Sequence, residues 1–198
     1  LSILKIARLG HPVLRQVAAP VDPAELGGPE LSRLIADMLE TVDAADGAGL
    51  AAPQVHVSKR VVVLQLSRTR GMEVWINPVL TPLTDERLAS TEGCLSVPGL
   101  LGVVARPAAV RVEALRPDGS PLLLELEGFA AVVAQHECDH LDGVIYVDKV
   151  EPHTLGFAEE LRRAARQRQA TDAAEAPDDD LIEDEDDDLD DEEDEAGA

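Results

Sequence analysis

Between Pro29 and Asp46, apolar residues recur three and four positions apart, at Leu31, Leu34, Ile35, Met38, Leu39 and Val42. That period places them on one face of an α-helix, and Pro29 and Glu30 suit its first turn. The pattern then changes. Segments 60–66 and 72–80 are β-branched and apolar, so each is expected to form a strand. Segment 108–116 alternates, with Val110, Val112 and Ala114 on one face. It leads into the turn signal Pro117-Asp118-Gly119, and 122–126 should return as its hairpin partner. Gly128 precedes a second helical period over 129–141, with Phe129, Val132, Val133, His136 and His140 on one side. A last helix is expected over 153–170, with Leu155, Ala158, Leu161 and Ala165 packed and Arg162, Arg163, Arg166 and Arg168 solvated. Three stretches resist this reading. The proline-punctuated region before Pro29 looks extended and turn-like, DGAGLAAPQ fits neither regular element, and 89–102 suggests a shaped loop or short strand. Strands, a buried helix and a terminal helix together indicate an α+β domain.

Charge divides the chain. The whole has 198 residues and a formal charge of -22, from 17 basic and 39 acidic residues. Residues 172–198 hold 17 acidic residues and no basic one, which leaves 22 acidic against 17 basic in the rest. The expected division is a catalytic domain over 1–171 and an acidic, disordered tail over 172–198. No run approaches the ~18 apolar residues of a membrane span, so no membrane association is expected. LSILKIARLG is too short and broken for a secretory signal core. Two cysteines, Cys94 and Cys138, are too few for a disulfide scaffold and suit a reducing cytoplasm. One Trp, one Tyr and two Phe make a base-stacking platform improbable.

The sharpest local signal is QHECDHLDG at 135–143. His136 and His140 are four apart, so on a helix their rings point the same way and can share one metal ion. Glu137 is placed to reach a water on that metal, whose pKa falls from about 15.7 toward neutrality, and to take and return its proton. The competing reading is two helix histidines in ordinary hydrogen bonds; the full HExxH spacing on an apolar-faced helix favours the metal. A catalytic site needs a third protein ligand and an open position. Cys138 points away from the histidines around the helix. The residues alone leave Cys94, Glu159 and Glu160 open, with Cys94 ranked first because it sits in a Gly/Pro-shaped segment. Its bland alternative is a small buried hydrophobe.

Three separated motifs, GAGLAAPQ at 47–54, EGCLS at 92–96 and QHECDHLDG at 135–143, resemble those of the peptide deformylase family, in the family's order. ILKI…HPVLR, VWINP and the RP…V.V….DG spacing agree, so the resemblance covers about residues 3–150. It implies small antiparallel sheets around a central HExxH helix, with a C-terminal helix. It implies a metal-dependent hydrolase removing the N-formyl group from the formylmethionine of new polypeptides. Cys94, His136 and His140 would be the metal ligands. Glu137 would be the general base and acid, and Gln54 with the Leu95 backbone N–H would hold the formyl oxygen. Gly47, Ala48, Gly49 and Leu50 would lie along the substrate as an added strand. Glu92, Phe129, Val132 and Val133 complete the expected substrate-binding residues. The implied cofactor is one Fe2+ per chain, with Zn2+, Ni2+ or Co2+ able to substitute. The implied setting is cytoplasmic, as a monomer.

Some positions depart from the family pattern. Ala48 stands where most bacterial members carry Ile or Val, Val133 replaces a frequent cysteine, and Phe129 is bulkier than the common aliphatic residue. Leu101 falls where many place an arginine, and His56 replaces a frequent glycine; His56 is read as a loop residue rather than an extra ligand. The preference for methionine is expected to be kept with altered strictness. Some members end in a basic helix that attaches to the ribosome. Here four Arg against two Glu in 159–169 are followed by the acidic tail. One expectation is that the tail competes with ribosomal RNA for those arginines; the other is a solubilising extension.

Overall fold

The computed structural model describes residues 2–67 and 71–174. Most of the acidic tail therefore lies outside the described residues. Two compact units divide the chain, Leu1–Leu161 and Arg162–Ala198. In the first, helix α1 (Pro29–Ala44) forms as its pattern predicts, burying Leu31, Ile35, Met38 and Val42. Strands β1 (Gly49–Ala51), β2 (Val61–Leu64), β3 (Glu73–Pro82), β6 (Ala109–Leu115) and β7 (Pro121–Glu127) build a five-stranded antiparallel sheet in the order β1-β2-β3-β6-β7. The expected hairpin pairs Val112 with Leu124, and Val110, Val112 and Ala114 face inward.

A second, three-stranded sheet consists of β4 (Arg87–Cys94), β5 (Val97–Pro107) and β8 (Gly156–Phe157). The segment read as a loop or short strand is thus a long hairpin, with Arg87 opposite Pro107 and Cys94 opposite Val97. Gly93 and Gly99 disguise it. A Cβ on Gly93 would lie 2.6 Å from the Leu101 side chain, and Gly99, inside β5, has φ +78°, so both glycines serve the hairpin rather than interrupt it. β1 also escaped the pattern, because three small or apolar residues carry no period.

Helix α2 (Gly128–Leu141) stands between the sheets. Ala131, Ala134 and Leu141 pack with Val62, Leu64, Trp75, Val112 and Leu126, while its other side meets β1 and β5. A helix buried along most of its length is a rigid platform for side chains. It ends in a Schellman turn: the Val144 N–H donates to the Asp139 carbonyl at 2.9 Å and the Gly143 N–H to that of His140 at 3.4 Å. Gly143 has φ +73°, and a Cβ there would sit 2.9 Å from the Arg15 backbone. The last glycine of QHECDHLDG is therefore structural.

The final helix, α3 (Ala158–Ala174), starts later than expected because Pro152–Thr154 is a 3-10 turn and β8 follows. Its packed face is also revised: Leu155 and Leu161 are exposed, as is Ala165, along with Arg162, Arg163 and Arg166. The proline-rich entry contains 3-10 turns at Pro12–Arg15 and Pro23–Glu25, the second closed by a capping box of Asp22 and Glu25.

Candidate active site

Three elements meet at one point. β4 ends at Cys94, α2 presents His136, Glu137 and His140, and the turn after β1 presents Gln54. The ligand atoms of Cys94, His136 and His140 lie within 4.8 Å of one another. Cys94 Sγ is 3.2 Å from His140 Nε2, and His136 Nδ1 is 2.8 Å from Glu92 Oε2. With Nδ1 engaged by Glu92, His136 Nε2 is the nitrogen that could hold an ion. Glu159 and Glu160 are exposed and fall outside this group, as does Cys138, which is buried on the far side of α2.

The two histidines differ electrostatically. Burial disfavours a charged His136, but hydrogen bonds with Cys94 and Glu92 outweigh it and hold the imidazole up at about 10. His140 is driven well below its ordinary value by burial and by the charge on His136. Glu137 is 5% exposed, and burial pushes its carboxyl up to about 7 against the pull of His136 and Arg106. Its Oε2 is buried without a hydrogen-bond partner among the described residues. Gly49 makes room for it: a Cβ at that position would lie 2.5 Å from Glu137 Oε1.

Gln54 is buried, and its amide is oriented. Its Oε1 accepts from the Ala51 N–H at 2.8 Å, so Nε2 points to Cys94 Sγ at 3.5 Å and Ser96 Oγ at 3.2 Å. Leu95 occupies the turn beyond Cys94, and a Cβ on Gly47 would touch its side chain at 2.9 Å. Gly49 and Leu50 are buried while Ala48 is exposed; among the described residues β1 is the edge strand of its sheet, paired only with β2. Val132 and Val133 are buried in α2, and Phe129, one turn earlier, is 63% exposed. Leu101 lies opposite Gly156 of β8. His56 stands edge-to-face with His11, 4.7 Å between centroids, outside the ligand group.

Glu92 needs a different reading from the expected one. It is 5% exposed, and its two oxygens are occupied by Arg106 Nε and Nη2, at 2.6 and 2.9 Å, and by His136. Its carboxylate is taken up by these two side chains instead of lining an open pocket. Burial alone would raise its pKa, but the bonds from His136 and Arg106 hold it below the carboxylate range. Sequence reasoning missed Arg106, which is 2% exposed. A signal was present: Gly102, Val104 and Arg106 occupy the buried phase of β5, and a charge on that phase demands buried partners. Tyr146 was missed as well. Its ring stacks on His136 with centroids 6.0 Å apart, and its hydroxyl donates to the Leu100 carbonyl.

The donor set fits a metal. One thiolate and two imidazoles within reach of a single ion leave the open position that distinguishes catalytic from structural sites. With a buried, partnerless carboxylate beside it, this arrangement is that of a metal-dependent hydrolase of the HExxH type. The profile of the polypeptide deformylase family matches residues 3–155, and the chain belongs to that family. A peptide deformylase from Stutzerimonas stutzeri is 50% identical over 149 residues, covering 75% of this chain and 87% of that protein. One from Leptospira biflexa is 39% identical over 176 residues, covering 84% and 98%. The actinonin-bound class I type b peptide deformylase of Acinetobacter baumannii superposes with a TM-score of 0.72 at 36% identity, covering 76% of this chain and all of that one. The Met-Ala-Ser-bound form gives 0.71 at 35%, covering 75% and 99%. The chain is accordingly an enzyme, a bacterial-type hydrolase that removes the N-formyl group from the formylmethionine of newly made polypeptides.

Proposed function

We propose that Cys94, His136 and His140 hold one metal ion, Fe2+ in the cell with Zn2+, Ni2+ or Co2+ able to replace it, and that the groups around them carry out deformylation. The observation that carries this reading is the convergence of those three ligand atoms within 4.8 Å beside a buried Glu137 whose Oε2 is unpartnered. When bound, such an ion polarises a carbonyl and makes water a competent nucleophile near neutral pH. Glu137 takes a proton from the attacking water and gives it to the departing amine nitrogen; a carboxyl pushed up to about 7 suits both tasks. Gln54 Nε2, held by the Ala51 N–H on its other end, donates to the formyl oxygen together with the Leu95 N–H. Each such donor is worth roughly 2.7–4 kcal/mol in the transition state.

The open edge of β1 supports a substrate backbone lying along Gly47, Ala48, Gly49 and Leu50 as an additional strand. The relative bound to Met-Ala-Ser supports a linear peptide with an N-terminal methionine as the occupant. Phe129, Val132 and Val133 would receive the methionine side chain, and Ala48 with Phe129 would set how strictly. Glu92 belongs to this site through His136 rather than through the peptide. The enzyme is proposed to work in the cytoplasm, as a monomer, on nascent chains. Exposed Arg162, Arg163 and Arg166 support a transient ribosome contact, tuned by the acidic residues that follow. Truncation after Thr171 should then change ribosome affinity and its salt slope.

The deciding experiment is formate release from formyl-Met-Ala-Ser by protein loaded with Fe2+ or Ni2+, wild type against Cys94→Ser. Release by the wild type, with metal and activity lost in the variant, supports the reading. A wild type that releases no formate, or a variant that keeps both metal and activity, overturns it.

A further inference from the structure

Five charged or polar side chains run in a line from the surface to the ligand group. Lys149 Nζ lies 2.7 and 2.8 Å from the two oxygens of Asp139. Arg106 Nη1 donates to Asp139 Oδ2 at 2.8 Å, and its Nε and Nη2 grip both oxygens of Glu92. Glu92 Oε2 then meets His136 Nδ1 at 2.8 Å. Exposure falls from 43% for the Lys149 side chain to 16% for Asp139 and 2% for Arg106, and stays low at 4% for Glu92 and 11% for His136. The outer end opens on a cavity of about 330 Å³, lined by Arg106, Asp139 and Lys149 among others.

The placement of the partners matters more than their number. Glu92 is on β4, two residues before Cys94; Asp139 is on α2, between His136 and His140; Arg106 is on β5 and bonds both. One guanidinium therefore ties the strand that supplies the thiolate to the helix that supplies the imidazoles. Its planar fork fixes the Glu92 carboxylate, which otherwise has three torsions to explore. A fixed Glu92 accepts from Nδ1–H and so sets the His136 tautomer and ring plane, while Tyr146 stacks on that ring at 24°.

We infer that Arg106 is a positioning residue that sets the spacing between Cys94 and the two histidines through Glu92 and Asp139, and that Lys149 steadies it from the surface. The inference deepens the proposed metal site and rests on His136 and Cys94 being ligands there. Arg106→Lys keeps the charge but loses the fork. Asp139→Asn keeps the shape, stays partly exposed, and weakens only the α2 end of the tie.

The test uses the full chain loaded with Co2+. The thiolate-to-cobalt charge-transfer and d–d bands are recorded, and metal loss into excess chelator is timed. Partners at this remove usually contribute about 10–100-fold in metal affinity, so Arg106→Lys should lose metal about 10–100 times faster with shifted bands. Asp139→Asn should lose it several-fold faster, and Lys149→Met about twofold. kcat for formyl-Met-Ala-Ser should fall with KM little changed. Variants that only lower Tm, with wild-type bands and metal loss, overturn the inference. If Arg106→Lys does not fold, Asp139→Asn decides by the same readings. A wild type lacking the thiolate band overturns the ligand assignment, and this inference with it. A normal wild-type band with unchanged variants overturns the positioning role alone.

Discussion

Ala131, Ala134 and Leu141 look from α2 onto the five-stranded sheet, while His136 and His140 of the same helix reach Glu92 and Cys94 of β4, and Glu137 lies against Gly49 of β1. Both faces are buried, with Leu141 at 0%, His140 at 1% and Glu137 at 5% exposure. The sheet face needs only volume and apolarity, because dispersion and water release have little direction. The metal face needs named partners at fixed angles, because a buried polar group without one costs about 1–3 kcal/mol. The sheet face should therefore fail by losing stability, and the metal face by losing chemistry while the fold survives.

Glu137→Gln is the strongest test of that separation. It keeps shape and removes the proposed proton carrier, so kcat for formate release should fall about 10²–10⁴-fold. Metal content should stay at the wild-type level, and Tm should not drop, because a buried carboxylate with a partnerless oxygen is replaced by a neutral amide. A fall in Tm comparable to that of a core truncation would erase the distinction between the faces.

Leu141→Ala examines the other side. The side chain is fully buried in the cluster that holds Trp75 and Val112, so its truncation should cost about 2–5 kcal/mol, read as a lower urea midpoint. kcat per metal-loaded, folded molecule should change less than about threefold. A large loss of kcat at full metal occupancy would mean that the faces are coupled through the helix.

Gly49→Ala strikes where chain crowding meets chemistry. The added methyl would sit 2.5 Å from Glu137 Oε1, and the carboxylate must move. Displacing a catalytic group by about 1 Å can cost up to 10²-fold, so a loss of about 10–100-fold in kcat/KM is expected with Tm nearly unchanged. Gly47→Ala, which meets Leu95 and Val42 side chains at 2.9 and 3.0 Å, should be milder, because flexible side chains can give way.

The same contrast explains what could be read from the chain in advance. The sheet-facing side of α2, the α1 stripe and the β6–β7 hairpin are periodic, and period survives in sequence. Cys94, His136, Glu137, His140 and Gln54, which the fold brings together, could be singled out because the proposed chemistry restricts their types and spacing. Arg106 was harder to see: the buried phase of β5 hints at it, but its partners are 14 residues back and 33 residues on, and that phase does not name them. The β4–β5 hairpin was hidden by Gly93, Pro98, Gly99 and Gly102, which usually break strands; here Gly93 makes room for Leu101 across the pair, Gly99 takes a positive φ, and Gly102 makes room for Val150. Phe129 shows the reverse difficulty: helical period put it beside Val132 and Val133, yet the first turn of α2 leaves it 63% exposed.

The smallest expected effect lies at the rim of α2, where neither rule applies in full. Asp148 accepts from Arg15 Nη1 and Nη2 at 2.5 and 3.0 Å and from the Ile145 N–H at 2.9 Å. Arg15 also donates to the Gly143 carbonyl at 3.5 Å, so the pair braces the turn that ends the helix. The Arg15 hydrogen bond holds the Asp148 carboxyl below its ordinary value, against the opposing effect of burial. A depressed carboxylate contributes stability that is present above its unfolded pKa and lost as pH falls through the folded one. The two side chains are 45% and 37% exposed, so solvent screening limits the contribution to less than about 1 kcal/mol. Asp148→Asn can still accept from the Ile145 N–H but loses the charge. The Tm difference between wild type and variant should be small at neutral pH, shrink below about pH 4, and shrink again in high salt. A difference that stays the same through acidification and in high salt would mean that the brace is made by packing, as on the sheet face, and that charge has no part in it.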